Sequence, residues 1–208
     1  MLTNTGVLKA LLRKTVSYSI SCRARASEVF RRISGRILFR RPFRGPGEIL
    51  WTAPTDLLAT QYTLGQCRRM DIILRLMAAE EFGDSRSFGT ALYEKYREKR
   101  PAPEKSERVF RELLLSMRRH GFKVELPIVV DQHGAIIDGA HRLACAIILD
   151  IPQVPVRLVS RRSHSFYEVR LEWFELHGFS GDEIATISKA EVAYRSRLAA
   201  CDQVERNF

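Results

Sequence analysis

The segment from Pro127 to Val159 restricts the possible folds more than any other part of the chain. Pro127-Ile128-Val129-Val130 is a short apolar run of strand length, and Asp131-Gln132-His133-Gly134 has the residues of a hairpin turn. Ala135-Ile136-Ile137-Asp138 reads as the returning strand. Gly139 then opens a helix over 140–150, with Leu143, Ala144, Ile147 and Ile148 spaced to pack inward. Val154-Pro155-Val156-Arg157-Leu158-Val159 closes the unit as another strand, and Pro155 favours either its start or a sheet edge. Strands and helices in this order must layer against one another to bury their apolar sides. The predicted fold is α/β (α+β), a small mixed sheet flanked by helices.

The flanking sequence supplies the helices. Ile49-Leu50-Trp51 suits a short strand, and Pro54 with Asp56-Leu57-Leu58 a strand-to-helix turn. Helical spacing runs over 70–82 through Ile72, Ile73, Leu76 and Met77, and over 88–100 through Leu92, Tyr93 and Tyr96, ended by Pro101 and Pro103. From Ser106 a helix places Val109, Phe110, Leu113, Leu114 and Met117 inward. It stops with Arg118, Arg119 and His120 in its last turn and Gly121 beyond. Two helices are predicted after 160, one over about 165–177 that stops at Gly178. The other opens on a Ser180/Glu183 capping box with a Phe179/Ile184 staple.

The net charge of +10 points first to nucleic acid, but its distribution does not. Residues 1–46 hold eleven Lys and Arg against one acid, Glu28, whereas the 23 bases and 23 acids that follow cancel. The excess belongs to an N-terminal arm in which Val7, Leu8, Leu11, Leu12 and Val16, then Val29, Ile33 and Ile37, recur at helical spacing. An arm of this kind suits an anionic membrane surface, a transit peptide, or a basic tail. Pro42 and Gly45-Pro46-Gly47 set its boundary, giving an arm over 1–46, a domain over 47–160 and a helical extension over 161–208.

No run reaches the roughly 18 apolar residues of a membrane span, and Lys9, Arg13 and Lys14 interrupt any secretory h-region. Cys22, Cys67, Cys145 and Cys201 form no C-x-x-C pair, which argues against a zinc site or a disulfide framework. A reduced, cytoplasmic setting is the expectation, or an organellar one if the arm is a transit peptide. His133 and His164 have no partner at metal-ligand spacing.

Chemistry concentrates in Asp138-Gly139-Ala140-His141-Arg142. A strand that runs straight into a helix leaves N–H donors at the helix start, where the macrodipole favours an anion. Gly139 lets a ligand approach the backbone, while His141 and Arg142 add cations that oppose the dipole unless an anion shares the space. Asp138 suits three roles: holding a magnesium ion, accepting a proton from a hydroxyl, or capping the helix. Arg69 and Asp71, with Arg86 in a later polar cluster, are weaker candidates for contact with a hydroxylated or anionic substrate.

The run Pro127-Ile128-Val129-Val130, Gly134, Ile136 through Ala144, then Val154-Pro155-Val156 resembles the core of ParB/sulfiredoxin-like domains. The resemblance is close over about 124–159 and looser back to about 48. Sulfiredoxins carry a nucleophilic cysteine where this chain has Ala140, so sulfinate repair is not expected. Partition-type ParB proteins hold CTP on Gly-x-Arg-Arg, where this chain has His141 before Arg142, and they carry a helix-turn-helix that the stretch 180–187 only faintly resembles. With a neutral body, DNA binding is the less favoured reading.

The Asp-Gly-x-x-Arg turn is most similar to that of the ParB-fold free-serine kinases, and Asp138, Gly139 and Arg142 match it. That resemblance implies an ATP-, ADP- or CTP-binding protein with magnesium, and a kinase-like phosphotransferase for a small hydroxylated or saccharide substrate. Gly139, Ala140, His141 and Arg142 would hold phosphate, and Asp138 with His141 would be catalytic. A second acid is expected from the N-terminal part of the domain, where Glu48 and Asp56 are the nearest candidates. The alternatives are a non-catalytic module that binds nucleotide or DNA, and a peripheral-membrane accessory protein using its arm.

Overall fold

The computed structural model describes residues 47–63, 65–82, 88–100, 106–131, 134–159 and 169–205. The basic arm over 1–46, Arg86, His133 and His164 lie outside the described residues. The described elements are β1 (Ile49–Thr52), α1 (Pro54–Ala59), β2 (Tyr62–Thr63), β3 (Gln66–Cys67), α2 (Met70–Glu81), α3 (Phe88–Lys99) and α4 (Glu107–His120). They continue with β4 (Ile128–Asp131), β5 (Ile136–Asp138), α5 (Ala140–Ile148), β6 (Val154–Val159), α6 (Leu171–Leu176) and α7 (Gly181–Glu205).

Four strands form one mixed sheet in the order β1-β6-β4-β5, and β2 and β3 form a separate small hairpin. The two central strands are parallel, with Ile128 opposite Val156 and Val130 opposite Leu158. β5 returns antiparallel to β4 with a register shift between Val129 and Val130. β1 pairs antiparallel with β6, Ile49 opposite Arg157. Because β6 is interior, Pro155 is not at a sheet edge. It stands second in the strand, one residue past the start.

Side chains alternate across the sheet as a two-residue period requires. Ile128, Val130, Ile136, Val156 and Leu158 are buried, whereas Ile137 and Arg157 are exposed. α5 lies against β4 and packs on α2, whose Ile72, Ile73 and Leu76 enter the same core. Phe174, Ile187 and Tyr194 join that core too, so α6 and α7 share it with the sheet.

Local chemistry places these elements. Pro54 fits the first turn of α1, where its missing N–H costs nothing. After α1, Thr60 Oγ1 and Gln61 Nε2 donate to the Gly134 carbonyl at 3.0 and 3.1 Å, and Ile136 N–H donates to Gln61 Oε1 at 3.3 Å. The β4–β5 turn is thus held from outside as well as by Asp131 Oδ1, which accepts from Ala135 N–H at 2.9 Å. Ser106 caps α4 through Val109 N–H. The capping box of α7 forms as expected: Glu183 accepts from Ser180 N–H at 2.6 Å, and Ser180 Oγ from Glu183 N–H at 3.2 Å.

Two segments depart from the sequence reading. The helix predicted from about 165 starts at Leu171, because Val169 is extended, bridging in parallel to Arg69 and accepting from Met70 N–H at 2.9 Å. The β2–β3 hairpin had no clear pattern to announce it. Among the described residues no helix is long and apolar enough to cross a membrane.

Candidate functional site

The turn between β5 and α5 is shaped by Gly139, the N-cap of α5, at φ 99°. A Cβ there would meet Ile128 Cα and Cγ1 and Arg142 Nη2, each at 3.2 Å, so conformation and space both select glycine. Asp138 does not reach into the first turn to cap it. Its Oδ1 accepts from the adjacent Gly139 N–H at 2.7 Å, and Gly139 makes no side-chain cap. The N–H groups of a first helical turn have no acceptor inside the helix, and the positive end of the dipole lies with them.

Arg142 folds back over this turn. Its Nη2 lies 2.9 Å from Asp138 Oδ2, and its Nη1 donates to the Leu126 carbonyl. The Asp138 side chain is 72% exposed and that of Arg142 only 15%. Beside Arg142 is a cavity of about 100 Å³ lined by Leu113, Ser116, Met117, Phe122, Lys123 and Leu126.

His141 turns the other way. Its ring packs edge-on to Phe110 with centroids 4.7 Å apart, and its Nε2 lies 2.8 Å from the Tyr93 hydroxyl. Arg75 Nε donates to the same Nε2 at 3.2 Å. The turn therefore splits, with Arg142 turned to the exposed Asp138 and the half-buried His141 turned to Phe110, Tyr93 and Arg75.

Behind His141 is a buried ion cluster. Arg69 grips Asp71 with two hydrogen bonds of 2.8 and 2.9 Å, and its Nη1 donates to the Ile136 carbonyl at 2.7 Å. Arg75 Nη1 donates to Asp71 Oδ2 at 2.7 Å and to the Asp71 carbonyl at 2.6 Å. The side chains of Asp71 and Arg75 are 1% and 2% exposed. Burial alone would raise the Asp71 pKa, but Arg69 and then Arg75 outweigh it and hold the carboxyl well below the usual range. Burial likewise pulls Arg69 down, yet Asp71 keeps it raised.

Two of the weaker sequence candidates, Arg69 and Asp71, are thus paired with each other inside the protein, and the structure brings them to His141 through Arg75. Asp56 sits in the first turn of α1. Glu48 precedes β1, at the opposite sheet edge from Asp138 and three strand spacings away, about 14 Å. Cys67 and Cys145 are buried free thiols, and burial pushes Cys67 up to about 12, which makes it a poor nucleophile.

Arg75 and Tyr93 are neighbours of the turn that sequence reasoning did not single out for chemistry. The signal was present for Arg75: it is the lone charge inside Ile72-Ile73-Leu74-Arg75-Leu76-Met77-Ala78-Ala79, every other member of which is buried. A cation there needs a partner in the core, and Asp71 stands one turn earlier.

Comparisons with protein-family models, with curated proteins and with solved structures return no match for this chain.

Proposed function

We propose that the turn 138–142 is a phosphate-binding site on a ParB/sulfiredoxin-like domain, and that the chain is a nucleotide-dependent phosphotransferase for a small hydroxylated or saccharide substrate. The observation that carries this reading is the left-handed Gly139 cap, which receives no side-chain capping hydrogen bond, with the Arg142–Asp138 ion pair beside it. The Gly139 N–H is held by Asp138, so the backbone N–H of Ala140 would cradle an anion first, and Arg142 would supply its counter-charge once it leaves Asp138. Asp138, at 72% exposure, is open to an acceptor hydroxyl.

The neighbouring cavity of about 100 Å³ is smaller than the roughly 300–1,000 Å³ of usual ligand pockets. It would take one group of the ligand and leave the rest on the surface. Among the described residues no three His, Cys, Asp or Glu side chains gather as a metal site. Magnesium would therefore arrive with the nucleotide phosphates, which suits an ion held by a single carboxylate such as Asp138.

Thermal unfolding of the full chain with ATP, ADP or CTP, each with and without magnesium, tests the reading. A nucleotide at about 100 times its Kd should add about 2.7 kcal/mol. The Arg142→Ala variant should lose the shift. If none of the three nucleotides moves the wild-type transition, the reading fails.

A further inference from the structure

We infer that Arg75 is a positioning residue that holds His141 as a neutral imidazole with its proton on Nδ1. A guanidinium has N–H donors and no acceptor, and it stays charged throughout the range in which proteins are folded. Arg75 Nε–H points at His141 Nε2 at 3.2 Å, so that nitrogen must offer a lone pair. The Tyr93 hydroxyl, 2.8 Å from the same atom, then donates as well. A doubly protonated ring would set an N–H against an N–H and place two cations in contact.

Arg75 is fixed for this task. Its Nη1 is held by the carboxylate and the carbonyl of Asp71, and its guanidinium carbon lies 5.6 Å from the centre of the Tyr96 ring. Arg69 takes up the remaining charge of Asp71, so the acid has no surplus to lend to His141. The contacts described for the ring agree. α2 presents Arg75 backed by Asp71, α3 presents the Tyr93 hydroxyl, α4 presents the uncharged Phe110 ring, and on its own turn Asp138 and Arg142 pair with each other.

This goes beyond the phosphate reading and does not need it. It assigns the fixed positive charge at the turn to Arg142 and leaves His141 a neutral N–H donor. His141 accordingly does not serve as the second cation.

Nitrogen-15 NMR of the imidazole rings in the full-length, ligand-free protein tests the inference, with His141→Gln identifying the signal. The expected result is an unprotonated Nε2 and a protonated Nδ1 that persist from about pH 8 to pH 5, across which an ordinary histidine titrates. Tyr93→Phe, which leaves Arg75 in place, should keep that pattern. Arg75→Met should let His141 titrate or exchange tautomers. A wild-type ring that gains its second proton near pH 6.5, or one protonated at Nε2, overturns the proposal. So does a ring that begins to titrate in Tyr93→Phe, since Tyr93 would then be the group that fixes it. The wild-type spectrum decides the case even if Arg75→Met does not fold, and nucleotide binding enters none of these outcomes.

Discussion

Nη2 of Arg142 and Oδ2 of Asp138 stand 2.9 Å apart across one turn of helix, so the turn's counter-charge is held by its own acid. A phosphate entering the first turn of α5 would compete with Asp138 for this guanidinium. The two residues should thus respond to mutation in opposite senses. Asp138→Ala frees Arg142 and should leave affinity for magnesium-free nucleotide equal or tighter while turnover is lost. With Asp138 largely in solvent, its removal should cost less than about 1 kcal/mol. Nucleotide titration beside a thermal melt and a turnover assay reads all three. Weaker binding in Asp138→Ala would show that the acid belongs to the ligand contacts.

Gly139→Ala should be costlier than the same change at Gly178. Both glycines have positive φ, 99° and 77°, but a Cβ at Gly178 meets nothing within 4 Å whereas one at Gly139 meets Ile128 and Arg142 at 3.2 Å. Conformation alone accounts for about 1–2 kcal/mol at either position. The backbone of Ile128 in the central strand β4 cannot yield cheaply, so Gly139→Ala should exceed Gly178→Ala in chemical denaturation. Equal losses would mean that the turn has room to spare.

Asp71→Asn should be among the most damaging single changes in the core. It removes the carboxylate between Arg69 and Arg75 and leaves buried guanidinium groups without their counter-charge. Breaking a buried pair in this way costs about 3–5 kcal/mol. Urea denaturation measures it, and a loss below about 1 kcal/mol would show that water reaches the cluster.

Acid should destabilise the fold, with a sign set by the same carboxylates. Asp71 is held low by Arg69 and Arg75 against the effect of burial. Glu183 is lowered in the same sense, with burial opposing and Lys95 and the Ser180 N–H prevailing. Groups whose folded pKa lies below the unfolded values of about 3.9 and 4.3 bind more protons in the unfolded state. Their contribution is full above about pH 5 and is lost as pH falls through and below those values. A pH series of denaturant melts should show the decline, and Glu183→Gln should make its upper part shallower. Stability that rises towards pH 3 would contradict this assignment.

Much of the architecture can be read from short-range signals. The turn at Gly134, the glycine before α5, the Ser106 cap and the Ser180/Glu183 box each declare themselves within four residues, and each stands where the pattern placed it. The β2–β3 hairpin is only two residues a side and offers no periodicity to detect. The extended Val169 is set by a bridge to Arg69, a hundred residues earlier in the chain. At the candidate site, the residue types of the turn were legible, but their directions were not. That His141 turns away from Asp138 depends on Arg75 and Tyr93, from helices that precede it by 66 and 48 residues.

The position of β1 has a consequence for how the chain reaches this state. Its partner is β6, and Ile49 meets Arg157 only after five helices and the whole β4–β5 hairpin have been made. At a synthesis rate of about 5–20 residues per second, β1 waits roughly 5–20 s for its partner strand to be translated. Long-range closures of this kind slow folding, because the entropy of the loop is lost before the contact forms. Shortened chains that stop before Val154 would lose the parallel partner of β4 as well as the partner of β1, so the sheet is completed from its late end.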